Sequence, residues 1–250
     1  MSQEVVVDRW QRLRRTVEGL LPMPITHVVT GERREPAEVV ARRRKVVAAT
    51  SVAGATLLGV SLSTEPDSKP FYALTLGTAA AWSFGGLASG PLHRGWIEDH
   101  EHRLRRPWLT PIATGAAAFG VFYAGALVAR KIPFAERAIS SILQFAEEGS
   151  MPLVLLTTYA NGVGEEIFFR GALYAALPSH QAAVASTGIY ALATTTTRNP
   201  SLVLAATLMG SLFALQRRAT GGLQAPLLTH LTWSTLMVRY LPPLFRTPQA

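Results

Sequence analysis

Two neighbouring carboxylates, Glu165 and Glu166, stand with Arg170 in the stretch GEEIFFRGALYAAL, Gly164 to Leu177. Their neighbours are Ile, Phe, Leu and Ala. Charge in such a setting is expensive unless it is paired or used. On a helix Glu166 and Arg170 are four residues apart, the spacing at which side chains meet. Glu165 is turned about 100° from Glu166 and is left without that partner. Glu166–Arg170 would then neutralise and orient the pair, while Glu165 points to the interior. A free carboxylate held away from bulk water suits general-base work, taking a proton from an attacking water. The alternative is a buried ion pair that only fixes helix packing.

A second ionisable group, His230, sits in the apolar run APLLTHLTWSTLM, with Ser234 one turn further on. Together they could offer two hydrogen bonds to a developing oxyanion. A lone histidine satisfied by a backbone carbonyl or a threonine is the plainer reading. Asp99-His100-Glu101-His102 has metal-like composition, but Arg103, Arg105 and Arg106 follow it, and a solvated charged loop accounts for it. The chain has no cysteine, which excludes disulfides, thiolate catalysis and Cys-ligated zinc. It also lacks HExxH, GxSxG and a glycine-rich phosphate loop.

The elements that must position these groups are written in the composition. Of 250 residues, 48% are hydrophobic and 16% charged, against about 25% charged in soluble domains. Much of the chain therefore belongs in lipid. The formal net charge is +8, and the basic residues flank apolar runs, which favours a membrane partner over nucleic acid. No nucleic-acid-binding signature accompanies them. Spans of about 20 apolar residues are expected at Val46–Ser63, Phe71–Gly90, Leu109–Ala129 and Met151–Leu177, followed by Ala182–Thr195, Ser201–Leu215 and Gly221–Val238. Arg130–Ser150 reads as an amphipathic interfacial helix. The expectation is an all-α, polytopic transmembrane helical bundle of about seven spans, within a range of six to eight. It divides into a basic cytoplasmic tail at residues 1–45 and a transmembrane domain at 46–250. WQRLRRTVEGLL in the tail could form an amphipathic surface helix. With the N-terminus in the cytoplasm, the arginine-rich loops at 92–108 and 216–220 also face it, and Arg130, Lys131 and Arg137 are the exceptions.

EEIFFR matches the EExxxR signature of the CAAX protease and bacteriocin-processing (CPBP, or Abi) family, and TGGLQAPLLTHLTWS is similar to that family's last motif. The resemblance covers about residues 150–240. It implies an intramembrane endopeptidase that cleaves a membrane-associated peptide or protein. It implies Glu165 as the water-activating glutamate, Glu166 and Arg170 as its supporting pair, and His230 as the oxyanion or metal-binding histidine. Ser234 falls where the family carries Asn or Asp. The last four helices would form the core.

The departure is in the middle motif, FxxxH in the family. In register it reads Tyr190-Ala-Leu-Ala-Thr194, so Thr194 stands where a histidine is expected. Threonine does not accept a proton at neutral pH and is a poor zinc ligand. Three readings stay open: a protease relying on Glu165 alone, a weakened or inactive homologue that binds a peptide or lipid-linked partner, and a transporter with a Glu165–His230 proton relay. A divalent metal such as zinc has only Glu165 and His230 as ligands, against the three usual in a catalytic site.

Overall fold

The computed structural model describes residues 35–98 and 103–245. WQRLRRTVEGLL and the 99–102 cluster lie outside the described residues.

Helix α1 is Ala37–Ser61 and α2 is Lys69–Ala88. A two-residue antiparallel ladder, β1 Ile97–Glu98 with β2 Leu104–Arg105, leads to α3 Leu109–Ala129. Then come α4 Pro133–Glu148 and α5 Met151–Glu165. A π-helical segment Glu166–Leu173 continues α5 and runs into α6 Tyr174–Ala176. Helices α7 Ala182–Thr194, α8 Pro200–Thr220 and α9 Gln224–Tyr240 complete the chain, with short 3-10 turns at Thr195–Thr197 and Pro242–Leu244. The fold is all-α apart from the small ladder.

Local chemistry sets the boundaries. Ser68 caps α2 by accepting from the Phe71 N–H, with Pro70 in the first turn. Asn199 caps α8 by accepting from the N–H groups of Ser201 and Leu202. Gly221, at φ 66°, ends α8 in the left-handed conformation that glycine adopts without penalty. Pro178 follows the rod formed by α5, the π segment and α6.

α1 and α2 pack as an antiparallel pair, as do α7 and α8, whereas α3 and α9 pack side by side. Trp82 of α2 is fully buried, its ring 4.6 and 4.9 Å from those of Phe168 and Phe169. A Cβ on Gly164 would stand 2.7 Å from the Ala79 carbonyl, so α5 meets the α2 backbone where only glycine fits. Amphipathic α4 turns Leu143 inward to join Ala126 and Leu241.

The rods run between two ends. At the first, Leu223 and Gln224 donate to the carbonyls of His93 and Arg94, each at 2.9 Å. At the second, the Thr196 hydroxyl donates to the Ala55 carbonyl at 2.9 Å and Asn199 donates to Ala138 at 2.7 Å. Among the described helices, α3 alone is long and apolar enough by composition to cross a membrane. The other expected spans carry charge, are rich in Gly, Ala, Ser and Thr, or are short like α7.

The span expected at Met151–Leu177 is not one regular helix. A π segment interrupts it immediately after Glu165, so the regular angle of about 100° per residue does not hold beyond that point. The helix expected to start at Val46 begins nine residues earlier, at Ala37, and includes Arg42 to Lys45.

Candidate active site

Glu165 closes α5 and Glu166 opens the π segment. The Tyr174 N–H points to the Phe169 carbonyl five residues back. This wide turn is a geometry that recurs at functional sites. The neighbouring carboxylates have different surroundings. Glu166 is fully buried (0% exposed), whereas Glu165 reaches a cavity.

Glu166 Oε1 accepts from two directions. Arg170 Nη1 lies 3.3 Å away and His230 Nδ1 2.9 Å away. The carboxylate thus joins the π segment to α9. Arg170 also donates through Nη2 to the Gly210 carbonyl of α8 at 3.2 Å, and the Thr187 hydroxyl of α7 donates to the same oxygen at 3.2 Å. Its guanidinium carbon lies 4.6 Å from the Tyr190 ring centre and 5.0 Å from that of Phe213, at cation–π distance. Arg217 Nε donates to the Arg170 carbonyl at 2.8 Å. The His230 ring stacks on Phe213 with centroids 4.8 Å apart. Apart from the Arg170–Glu166 pair within the π segment, the polar contacts here cross from one helix to another, so the site is also a junction of the bundle.

Glu165, His230 and Thr194 line one cavity of about 290 Å³. It extends to the second end of the bundle, where Ser61, Leu62 and Thr197 form part of its wall. Thr194 is largely buried, and its hydroxyl donates to the Tyr190 carbonyl one turn back at 2.9 Å. Ser234 is also buried but does not line the cavity. The polar partner of His230 is Glu166. His180 lies in the exposed turn after Pro178. A separate cavity of about 390 Å³ lies at the first end, between Tyr174, Arg217 and His93, and contains none of these carboxylates.

Two residues at the site had no role in the sequence reading. The Tyr190 hydroxyl donates to Glu165 Oε2 at 2.5 Å. The only trace in the sequence is a tyrosine where the resembled motif has phenylalanine. Asn161 lines the cavity one turn before Glu165 and donates to the carbonyls of Thr75 and Thr157. Its Oδ1 is buried with no partner. A lone amide four residues before a catalytic-type glutamate was a usable signal.

Among the described residues, no three His, Cys, Asp or Glu side chains are grouped to hold a metal ion. Glu166 Oε1 is already shared by Arg170 and His230, and the two remaining donors fall short of the three protein ligands of a catalytic zinc site.

No curated protein and no solved structure matches the chain. A family model described as type II CAAX prenyl endopeptidase Rce1-like matches residues 147–236. That span contains both carboxylates, Arg170, Tyr190, Thr194 and His230, and over it the chain is similar to the CAAX protease (CPBP) family of membrane-embedded peptide hydrolases.

Proposed function

We propose that the protein is an intramembrane endopeptidase that hydrolyses a peptide bond of a membrane-associated substrate, with Glu165 as the base that activates water. The observation that carries this reading is the convergence of Glu165 and His230 on one cavity. Glu165 takes the proton of a water as its oxygen attacks the peptide carbonyl, and that proton passes to the leaving amine. With Nδ1 engaged by Glu166, the His230 nitrogen left for substrate is Nε2. In the protonated ring it donates a hydrogen bond to the oxyanion. Arg170 holds Glu166, and Glu166 holds His230. The Tyr190 hydroxyl orients Glu165.

The bundle crosses the bilayer several times in this reading. Large apolar side chains point outward on several helices: Val52 of α1, Phe84 of α2, Val121 of α3 and Val184 of α7 are all at least 70% exposed. Apolar residues spread around a bundle in this way are suited to contact with lipid chains.

The test is cleavage of a membrane-inserted reporter peptide in proteoliposomes. Glu165→Gln is expected to abolish hydrolysis while leaving folding intact, and a parental rate in that variant would end the proposal. A non-catalytic binding role is the second reading. It is favoured by Thr194, which has no basic atom and spends its donor on the backbone. If Thr194→His created proteolysis in an inert parent, that second reading would replace the first.

A further inference from the structure

Asn161 stands one turn before Glu165 on α5 and lines the same cavity. Its amide nitrogen donates to the carbonyl of Thr75 on α2 at 3.2 Å and to that of Thr157 at 3.0 Å. Those two acceptors fix which way the amide is turned, because the reversed amide would set its oxygen against two carbonyl oxygens. Oδ1 is the atom left over, and it is buried without a hydrogen-bond partner among the described residues. Thr75 lines the cavity too, with its Oγ1 in the same condition. A threonine within a helix can spend its hydroxyl on the carbonyl one turn back, as Thr78, Thr157, Thr194 and Thr207 do here. Thr75 does not.

Among the described residues, seven side-chain polar atoms are buried without a partner, and three of them, on Thr75, Asn161 and Trp233, belong to residues in the wall of this one cavity. Leaving a buried polar atom unpaired is costly, so their concentration in one wall marks a place where a bound molecule completes the hydrogen bonds. Glu165, Tyr190 and His230 are the only ionisable side chains among the residues of that wall. Beyond them the wall holds no charge with which to grip a side chain of a bound segment. The main chain of a peptide matches what it does hold: a peptide N–H suits Oδ1, and a peptide carbonyl suits a hydroxyl.

We propose that Asn161 and Thr75 bind the main chain of the substrate, Asn161 Oδ1 accepting a peptide N–H and the Thr75 hydroxyl donating to a peptide carbonyl. The proposal deepens the endopeptidase reading and rests on it for the position of the scissile bond at Glu165. One helical turn separates Asn161 from Glu165, a rise of about 6 Å, and two residues of extended chain span about 6.6 Å. The N–H taken by Asn161 is thus about two residues from the bond that is cut. A segment wound as a regular helix has these groups paired internally and offers the wall nothing. The ligand is therefore a peptide segment whose backbone is unwound and extended next to the scissile bond.

The probe is a synthetic peptide of Leu, Ala and Thr, inserted with the full-length protein in phosphatidylcholine vesicles. Its amides are replaced by esters one at a time, each removing a single N–H. Affinity is read on Glu165→Gln protein, where the peptide stays whole, and the cleavage site is read on the parent. The expected result is one ester, about two residues from the cut, that weakens binding roughly two- to tenfold, the range of a single neutral hydrogen bond. Asn161→Leu added to that protein should weaken binding of the all-amide peptide by the same factor and lose nothing more at that ester, while every other ester keeps its effect. If Asn161 were only a strut between α5 and α2, the variant would lose affinity for all the peptides alike, and that outcome would overturn the proposal. If Asn161→Leu does not fold, the scan with Asn161 intact decides alone: esters that all bind alike, or a peptide that does not bind, overturn it. Thr75→Val keeps the carbonyl that Asn161 holds and should weaken binding by a similar factor; unchanged affinity would overturn the assignment of its hydroxyl. The two readings fail separately. Hydrolysis by Glu165→Gln at the parental rate removes the base, and the ester pattern is then read in kcat/KM. A flat ester scan with cleavage abolished in Glu165→Gln removes the backbone contacts and leaves the base in place.

Discussion

Tyr190→Phe removes one oxygen from the site and little of its packing, since the ring that lies 4.6 Å from Arg170 stays in place. The lost bond is a hydroxyl donated to a carboxylate at 2.5 Å. Hydrogen bonds to charged groups contribute about 1.5–3 kcal/mol, which corresponds to roughly a ten- to hundredfold change in rate. Steady-state cleavage of a membrane peptide by this variant should show kcat down by about that factor, with KM unchanged. An unchanged kcat would leave Tyr190 as packing alone. The pairing of Glu166 with Arg170 was legible from their i, i+4 spacing, and His230 from its type in an apolar run. The bond from Tyr190 to Glu165 was not, because it joins residues 25 positions apart on two helices. Nor was the contact of His230 with Glu166, 64 positions away. Local spacing on the final helix pointed to Ser234 instead.

At the scale of elements, the close approach of α5 to α2 can be tested by making the same change at two glycines. A Cβ at Gly164 would meet the Ala79 carbonyl at 2.7 Å and Ser83 Oγ at 3.1 Å, whereas one at Gly77 has nothing within 4 Å. Gly164→Ala should lower stability by about 1–3 kcal/mol through overpacking. Gly77→Ala should raise it by about 0.4–1 kcal/mol, because alanine narrows the unfolded ensemble and suits a helix. Thermal unfolding of the two purified variants would show shifts of opposite sign; equal shifts would mean that the α2–α5 contact is not tight. Pro178 marked the end of its rod in the sequence, but the end of α8 was misplaced: the helix expected to stop at Leu215 runs on to Thr220, through the residues read as a basic loop at 216–220. The π segment was not announced. A hydrogen bond moved from four residues back to five leaves hydropathy unaltered, and the contacts that sustain it come from other helices, Arg217 on the Arg170 carbonyl among them.

At the scale of the whole molecule, the lipid-facing reading gives Val121 a defined role. It lies near the middle of α3 and is 72% exposed. An arginine at the centre of a spanning helix costs about 2.5–3.5 kcal/mol in membrane insertion. Val121→Arg should therefore deplete the protein from the membrane fraction, and Val121→Leu should not; equal recovery of the two would place α3 outside the bilayer. The all-α character was readable from composition, and α3 from length and hydropathy. The remaining rods were harder to read because helices that pack closely use Gly, Ala, Ser and Thr, which dilute an apolar signal. The two sides of the cavity also come from different parts of the chain. Glu165, Tyr190, Thr194 and His230 fall within residues 147–236, while Leu58, Ser61, Leu62, Phe71 and Thr75 lie well before them on α1 and α2. In the proposed mechanism, the hydrolytic residues and part of the wall that meets the substrate thus come from different stretches of the chain. Changing Leu58, Leu62 and Thr75 on α1 and α2, away from the Trp82 and Ala79 contacts with α5 and the π segment, is then a route to a new cleavage preference that leaves Glu165 and His230 in place.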